Sequence, residues 1–594
     1  MVSLFKRRWS LQITSPTPTI TRTRSRSRSI DAPRPLRRYF STEADSIANS
    51  LLKEKSLVQR IKAKDLVHIE EKELDEVIRI WTARGGTNEL QQLKFVDIGF
   101  GVEHAKIIGK LLRTNQVANI KVLKVPKNRF HGDAAKTLFK ALAQNSTVLH
   151  LDLSNNTIGD KECKALAKYL KVNRCLRYLD ISSNRIGPAG AKRIAKALAT
   201  HPCLERLYLQ GNNFKAKGSI PLAQMLLDNH TLRHVDLGFN RLHYEGVTNL
   251  SHALLGSTQL KSLRLDLNEV GYLGICQLSH ALTINTALTH LNLTCNNLGD
   301  EGVAQFCQRL TTRCSLESLD ISGNNCGQNG SSLGAKAIAE LLKQSTTLRI
   351  LNLDSNPLGD ANVEIISKAL AQNTTLEKLY LSNCRLGVQG IQALAEALKT
   401  NTTLQVINLA DNVRLGPEGH WLIANALEIN TNIKIINLDY NIADWQKLYN
   451  SIQSSLTRNY MLQRTKHYNA CEILRAARVL FHGRPKTERD MIDFRLPHSP
   501  EQLTRSIPLV QGFNLSRLPT EVIEGVLGML DMQQVLNPYQ RQRIFDYAAD
   551  RQTLKSIRTK RAFLEGTLGR VFDADEGLWE VEPEIAFPTP TFHR

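Results

Sequence analysis

The chain of 594 residues has no run of about twenty apolar residues, which leaves no segment to span a bilayer as a helix. Its N-terminus lacks the apolar core of a secretory signal, so the triplets at Asn145, Asn373 and Asn401 (Asn-x-Thr) read as turn residues rather than glycan acceptors. Ten cysteines are present without a single C-x-x-C, a pattern expected of free, buried thiols in a reducing compartment. His150, His234 and His290 recur at equivalent positions but two or more repeat units apart, roughly 10 Å or more across parallel strands, too far to share a metal. No Ser/His/Asp set and no paired-carboxylate motif stands out. Gly330–Lys336 (GSSLGAK) lacks the glycine spacing and the Lys-Ser/Thr of a phosphate loop. These absences point away from an enzyme and from any cofactor or metal.

What the chain does have is a period. The signature L-x-x-L-x-L-x-x-N returns thirteen times, beginning at Leu93, Ile120, Val148, Leu176, Leu204, Leu232, Leu260, Leu288, Leu316, Leu348, Leu376, Leu404 and Ile433. Nine of the twelve intervals are 28 residues; the others are 27, 32 and 29. A fixed period of this length means stacked supersecondary units. In Leu176–Cys203, the alternation Leu176, Leu179, Ile181 predicts a short strand with one buried face, and Ile194, Ala195 and Leu198 have helical spacing. Asn stands eight residues after the first apolar position in eleven units, Gly101 and Cys384 being the exceptions. An amide both donates and accepts, so a buried Asn column can satisfy the backbone of the turns around it. Strand, turn, helix and return make one right-handed coil. Thirteen parallel strands at about 4.8 Å would line an inner face roughly 60 Å long.

Val148–Gly159, Leu176–Gly190, Leu288–Gly302 and Leu376–Gly390 carry L-x-x-L-x-L-x-x-N-x-(I/L)-G followed by an Ala/Leu-rich helix. The chain thereby closely resembles ribonuclease-inhibitor-type leucine-rich repeat proteins over roughly 350 residues. The resemblance implies an α/β solenoid, a right-handed βα horseshoe of about 13 repeats, with a small helical C-terminal region, and it implies protein binding without naming a partner.

The expected organisation is a basic targeting segment at 1–40, an N-terminal helical cap at 41–92, repeats at 93–457, a helix and linker at 458–516 and a helical module at 517–594. Of the formal charge of +21, residues 1–40 hold +9 and residues 458–594 hold +3. The first forty residues are Arg- and Ser-rich, without an acid before Asp31, and Val2, Phe5, Trp9 and Ile13 share one helical stripe. That composition suits a mitochondrial transit peptide, with Arg38 three residues before a break at Phe40/Ser41. The alternatives are a disordered basic tail, or an Arg-Ser tract at Arg22–Ser29 that binds RNA or a nuclear partner, in a cytoplasmic or nuclear protein. In the cap, Leu66–Trp81 has the spacing of an amphipathic helix, and Trp445–Leu456 that of a last helix. Further on, Asn469–Phe481 and Pro538–Ala549 read as helices. Leu518–Asp531 resembles the opening of an F-box; on that resemblance Leu518, Pro519, Val522, Ile523, Leu527 and Leu530 would contact a Skp-type adaptor. A plain helical cap or docking module is the other reading, and a mitochondrial address conflicts with ubiquitin-ligase work.

Positions two, four and six after each first apolar residue should face away from the core. Summed as read, this face has eight acids and four Lys/Arg, net −4 in a chain of +21. It would repel nucleic acid, whereas Lys164, Lys168, Lys192 and Lys196 fall on outer helices as a solvated face. Candidate partner-binding residues are Asp152, Tyr178, Asp180, Arg206, Tyr208, Asp236, Phe239, Arg264, Asp266 and Tyr380, because Tyr and Arg carry energy at protein interfaces and an acidic rim suits a basic protein. The same column of Asp is also simply the common strand of this repeat class. The ninth unit is longer by about four residues near Asn325–Gly334, either a binding loop or a neutral expansion. The expected function is a non-enzymatic protein-interaction scaffold. The rivals are a ubiquitin-ligase substrate receptor and a Ran-type GTPase activator, although the latter typically ends in a strongly acidic tract that this near-neutral C-terminal region does not have.

Overall fold

The computed structural model describes residues 71–83, 90–114, 119–311, 315–439, 445–482 and 538–549, with 59, 61, 535, 536 and 563. All of them belong to one compact unit, Leu57–Arg594. The basic segment 1–40, Asn441 and the F-box-like stretch from Leu518 to Leu530 lie outside the described residues.

Thirteen three-residue strands, from Gln92–Lys94 to Ile435–Asn437, form one open, parallel sheet in chain order. Repeats are numbered 1 to 13 by these strands. In repeats 2 to 12 the middle residue of the strand is buried, as Leu151, Leu179 and Leu207 show. A helix follows each of the first twelve strands and packs on the helices of the repeats before and after it. One continuous hydrophobic core runs from Ile61 to Leu456. Burial on one face of the strand and one stripe of the helix is what the 28-residue pattern encodes.

The sheet corrects one register. Gln92 pairs with Val122 and Leu93 with Leu123, so repeat 1 begins at Leu90, not Leu93. Phe95 is therefore a core residue, 1% exposed, and Ile98, not Gly101, stands where other repeats carry Asn. Leu90-x-x-Leu93-x-Phe95 matches the signature with Phe in its third apolar place, and Leu93 fits either frame, which is why the pattern alone slipped by three.

The Asn column is a continuous backbone-satisfying ladder. Oδ1 of Asn212 accepts from the backbone N–H of Asn184 and Ile186, both at 3.0 Å, while its Nδ2 donates to the carbonyls of Ile181 and Leu209. Asn128, Asn156, Asn184, Asn268, Asn296, Asn324, Asn356 and Asn412 repeat this bridging, while Asn240 keeps the donating half, from its Nδ2 to the carbonyls of Leu209 and Leu237. At Cys384 the thiol donates to Leu353 O, and Leu358 N–H turns to Asn356 O. A second column, at Asn145, Asn229, Asn285, Asn373, Asn401 and Asn430, ties each strand entry to the helix of the previous repeat, and Asn173 in the same column holds the Leu176 N–H and donates to Cys175 Sγ. Asn145, Asn373 and Asn401 are at most 6% exposed and fully engaged there, the physical origin of the Asn-x-Thr triplets. Thr147, Thr231 and Ser315 donate to the preceding repeat's backbone, and Cys175 and Cys203 do the same with thiols in that slot.

Helix N-termini are capped across repeats. Asp160 Oδ1 accepts from Gly187 N–H at 2.8 Å and Gly190 N–H at 2.7 Å, at the start of the helix Pro188–Leu198. Asp300 and Asp360 serve the next repeats through Gly327, Gly334 and Gly387. A carboxylate there satisfies orphan donors and complements the helix dipole. A Cβ at Gly190 would lie 2.5 Å from Asp160 Oδ1 and 2.4 Å from Ile186 Cγ2, so the second Gly of G-x-x-G makes room for the cap.

The insertion of repeat 9 is a short turn, Gln328–Gly330, between strand and helix. Ser331 Oγ is 2.6 Å from Asp300 Oδ2, and Asn362 Nδ2 donates to Ser331 O, so the loop is fastened to both neighbouring repeats.

Both ends of the stack are covered. The helix Glu71–Ala83 buries Leu74, Val77 and Trp81, and its Asp75 pairs with Lys110 of repeat 1 at 2.6 Å. At the other end a single helix, Trp445–His482, runs through residues 457–458, where the sequence suggested a boundary, and joins the two helices expected there. Arg458 donates to the carbonyls of Leu427, Glu428 and Asn430, capping the helix Gly416–Ile429, and Asn459 donates to Asn430 and Ile433. The residues at the proposed boundary are thus the cap itself. The helix Pro538–Ala549 packs against Trp445–His482.

Cys384→Asn restores the missing rung. It should raise the unfolding free energy by about 1 kcal/mol, read from urea denaturation at constant m.

Candidate protein-binding face

The open side of the sheet is formed by the first and third residues of each strand and the residues just beyond. With repeat 1 in its corrected register, Lys94 replaces Asp97 on this face. The acids are then Asp152, Asp180, Asp236, Asp266, Asp320, Asp354 and Asp439, and the bases Lys94, Lys124, Arg206, Arg264 and Lys378, a net of −2 instead of −4.

Most of the Asp/Asn column has a local task. The side chain accepts from the backbone N–H two residues on, as in Asp152–Ser154, Asp180–Ser182, Asp236–Gly238, Asn292–Thr294, Asp320–Ser322 and Asn352–Asp354, all within 3.0 Å. This Asx turn bends the chain out of the strand. It accounts for the regularity of the column without any ligand.

The central repeats hold a buried charge cluster. Arg264 Nε lies 3.3 Å from Asp236 Oδ2 and 3.3 Å from Asp266 Oδ1, both carboxylates being 5% exposed. Gly238 leaves room for Asp266: a Cβ there would be 2.6 Å from its Oδ2. Burial raises the Asp236 carboxyl, against the opposing pull of Arg264. Asp320, 1% exposed, is likewise raised by burial while accepting from Ser322 and Asn352. Burial pushes Asp354 up to about 7, and its Oδ1 accepts from Ser382 N–H. Asp236, Arg264 and Asp266, candidates on the sequence, therefore serve one another, not an exposed rim. Tyr380 is half-buried, and burial and then Asp354 and Asp320 raise its phenol.

Repeats 3 to 5 form the aromatic part. His150 stacks on Tyr178 at 3.7 Å between centroids and 9° between planes, and Tyr178 meets Tyr208 at 4.9 Å. Burial, then Lys124, lowers His150 to about 4, so this ring is neutral at pH 7. His150 was placed in its column by the sequence but not in the site; adjacency to Tyr178 across one parallel pairing was the available signal. Phe239 lies three residues past the strand His234–Asp236, 54% exposed, with φ +50. Equivalent positions carry Gly211, Gly323, Asn155 and Ser183, also at positive φ. A bulky residue in the left-handed region costs about 1–2 kcal/mol, and here its ring is left in solvent. Asp152, Asp180, Arg206 and Tyr208 border the stack at half-buried positions on these strands.

Seven segments, residues 144–167, 172–195, 228–251, 285–307, 344–363, 372–395 and 400–419, match the family model described as Leucine Rich repeat. These segments are leucine-rich repeats. No curated protein matches it. Among solved structures it is similar to a chain of the yeast Rad7–Elc1 complex, at 17% identity over 68% of this chain and 92% of that one, with TM-score 0.40. It is similar also to the leucine-rich repeat-containing protein LegL7 of Legionella pneumophila, at 21% identity over 57% of this chain and 96% of that one, TM-score 0.35. A Listeria monocytogenes internalin matches at 17% identity over 66% and 95%, TM-score 0.31. Among the described residues no helix is long and apolar enough to cross a membrane, and no group of His, Cys, Asp or Glu is arranged to hold a metal. Nine described cysteines are free, and burial pushes Cys163 up to about 12.

The raised carboxyl of Asp354 gives a pH signature. Its folded-state value of about 7 exceeds that of an unfolded Asp, near 3.9, so ionisation opposes folding. The penalty is absent below pH 4, grows between about 4 and 7, and is complete above 7. Asp354→Asn should therefore stabilise the protein more at pH 8 than at pH 5, measured as the difference in Tm between variant and parent at each pH.

Proposed function

We propose that this protein is a non-enzymatic scaffold that seats a protein partner on the strand face of repeats 3 to 6. The exposed ring of Phe239, held in left-handed backbone beside the aromatic repeats, carries this reading. Tyr and Arg anchors in a partly desolvated setting are the usual source of interface energy, and His150, Tyr178, Tyr208 and Arg206 supply them. Asp152 and Asp180 at the border favour a partner with basic side chains. The helices of 10 to 14 residues, together with the N-x-(I/L)-G turn, support the ribonuclease-inhibitor type of repeat.

Phe239→Gly separates stability from binding. It should raise Tm, because the backbone strain is relieved, while partners captured by the parent protein and identified by mass spectrometry are lost or weakened tenfold or more. Tyr208→Ala should weaken the same partners. Unchanged capture by both variants would overturn the reading.

A second reading rests on Leu518–Asp531: with an F-box-like opening, the chain would act as a ubiquitin-ligase substrate receptor. Under it, a Skp-type adaptor co-purifies with the protein and is lost on Leu518→Ala/Pro519→Ala. The two readings are separated by location. A mature N-terminus at Ser41 in the mitochondrial fraction supports the transit peptide and removes the ligase role; an intact Met1 in cytosol or nucleus does the reverse.

A further inference from the structure

The charge of the repeats is segregated. Residues 94–203, which span repeats 1 to 4, carry 20 Lys/Arg against 7 Asp/Glu, whereas residues 204–457 carry 19 against 21. This asymmetry does not lie on the strand face. The helices Gly132–Leu142, Cys163–Val172 and Pro188–Leu198 bury the equivalent residues Leu138, Leu166 and Ile194 and turn their other side to solvent. On that side Lys136, Lys164 and Lys192 occupy one equivalent position, and Lys140, Lys168 and Lys196 the position one turn on; all six are exposed. Repeat 1 adds the exposed Lys106 to the first column, its Lys110 being half-buried against Asp75, and repeat 5 ends both columns with Ile220 and Gln224. Lysines about 6 Å apart along a helix, on helices about 8–10 Å apart, make a stripe of seven charges about 30 Å long.

We propose that this outer face of repeats 1 to 4 binds the phosphate backbone of a nucleic acid without regard to sequence. The charge density of the stripe suits a polyanion whose phosphates follow one another every few ångströms. All seven residues are Lys, point charges on flexible stems, and not the Arg, Asn or Gln forks that read base edges. Phe139 and Tyr169, the aromatic residues of these helices, are buried, so no base-stacking platform and no protein-type anchor accompanies the charge. Val102 and Val172, at opposite ends of their helices, are the large apolar residues that the described helices of repeats 1 to 4 expose, which leaves no contiguous wedge to enter a bilayer. Lys136 pairs with Asp133 at 2.9 Å and Lys106 with Glu103 at 2.8 Å; such exposed i,i+3 pairs are weak enough to exchange for phosphate.

The test uses the full chain, so that the basic residues 1–40 contribute equally in every arm. Anisotropy with labelled 20-nucleotide single-stranded RNA and DNA is followed across a salt series for three proteins. They are the parent, a variant with Lys140, Lys164, Lys168, Lys192 and Lys196 each changed to Gln, and a control with Lys336, Lys343, Lys368, Lys399 and Lys447 changed to Gln. The five-lysine variant should bind about tenfold or more weakly near physiological salt, with a log–log salt slope shallower by about 3.5, that is, about 0.7 per lost contact. The control should stay within about twofold of the parent, and all three should melt alike. Absence of binding by the parent, or equal loss in the variant and the control, would overturn the proposal. So would tighter binding to phosphatidylserine vesicles than to nucleic acid, or displacement of the oligonucleotide by poly-glutamate at equal charge, which would point to a lipid surface or an acidic polypeptide.

Discussion

The fold depends on one constraint: three-residue strands and tight turns leave many backbone donors and acceptors inside the protein, and each must find a partner. Two columns of buried amides meet that demand. Because every Asn in them except Asn173 binds the backbone of its own repeat and that of the preceding one, the columns also fix the stacking register. The strand pairing alone, three residues per repeat, would be a weak specification of register. Cys384 shows how local the requirement is, since one missing acceptor is met by a carbonyl two residues away from the donor it left.

The same economy shapes the surfaces. On the helix side, Asp160, Asp300 and Asp360 cap helices that belong to the next repeat, and the glycines opposite them exist to admit the carboxylates. On the strand side, the Asp/Asn column closes Asx turns. Residues that look like a recognition surface in sequence are thus largely consumed by the architecture. What remains available is what departs from the repeat: the stack of His150, Tyr178 and Tyr208, the Phe239 ring, and the lysine columns.

Departures from the period also explain the ends. A solenoid repeats its exposed cross-section until something unlike a repeat covers it. Trp81 with Leu74 and Val77 does so at one end, and at the other Arg458 and Asn459 take over the carbonyls that a fourteenth repeat would have bound. A guanidinium with five donors substitutes for several backbone and amide groups at once.

The order of residues alone was enough to read off the period, the side of strand and helix that is buried, and the Asn column, because these depend on contacts between residues at fixed separations. It misplaced repeat 1 because Leu90, Leu93 and Phe95 satisfy the pattern in two frames, and only pairing with Leu123 selects one. It gave Asp236 and Asp266 to a binding rim because their charge is visible in sequence while Arg264 between them is a matter of three adjacent strands. It cut the last helix at residue 457, since the hydrophobic period stops there while the cap is polar. Burial, stacking and capping between repeats were decided by the tertiary structure, because each joins residues about 28 positions apart whose side chains meet only when the coils are in register.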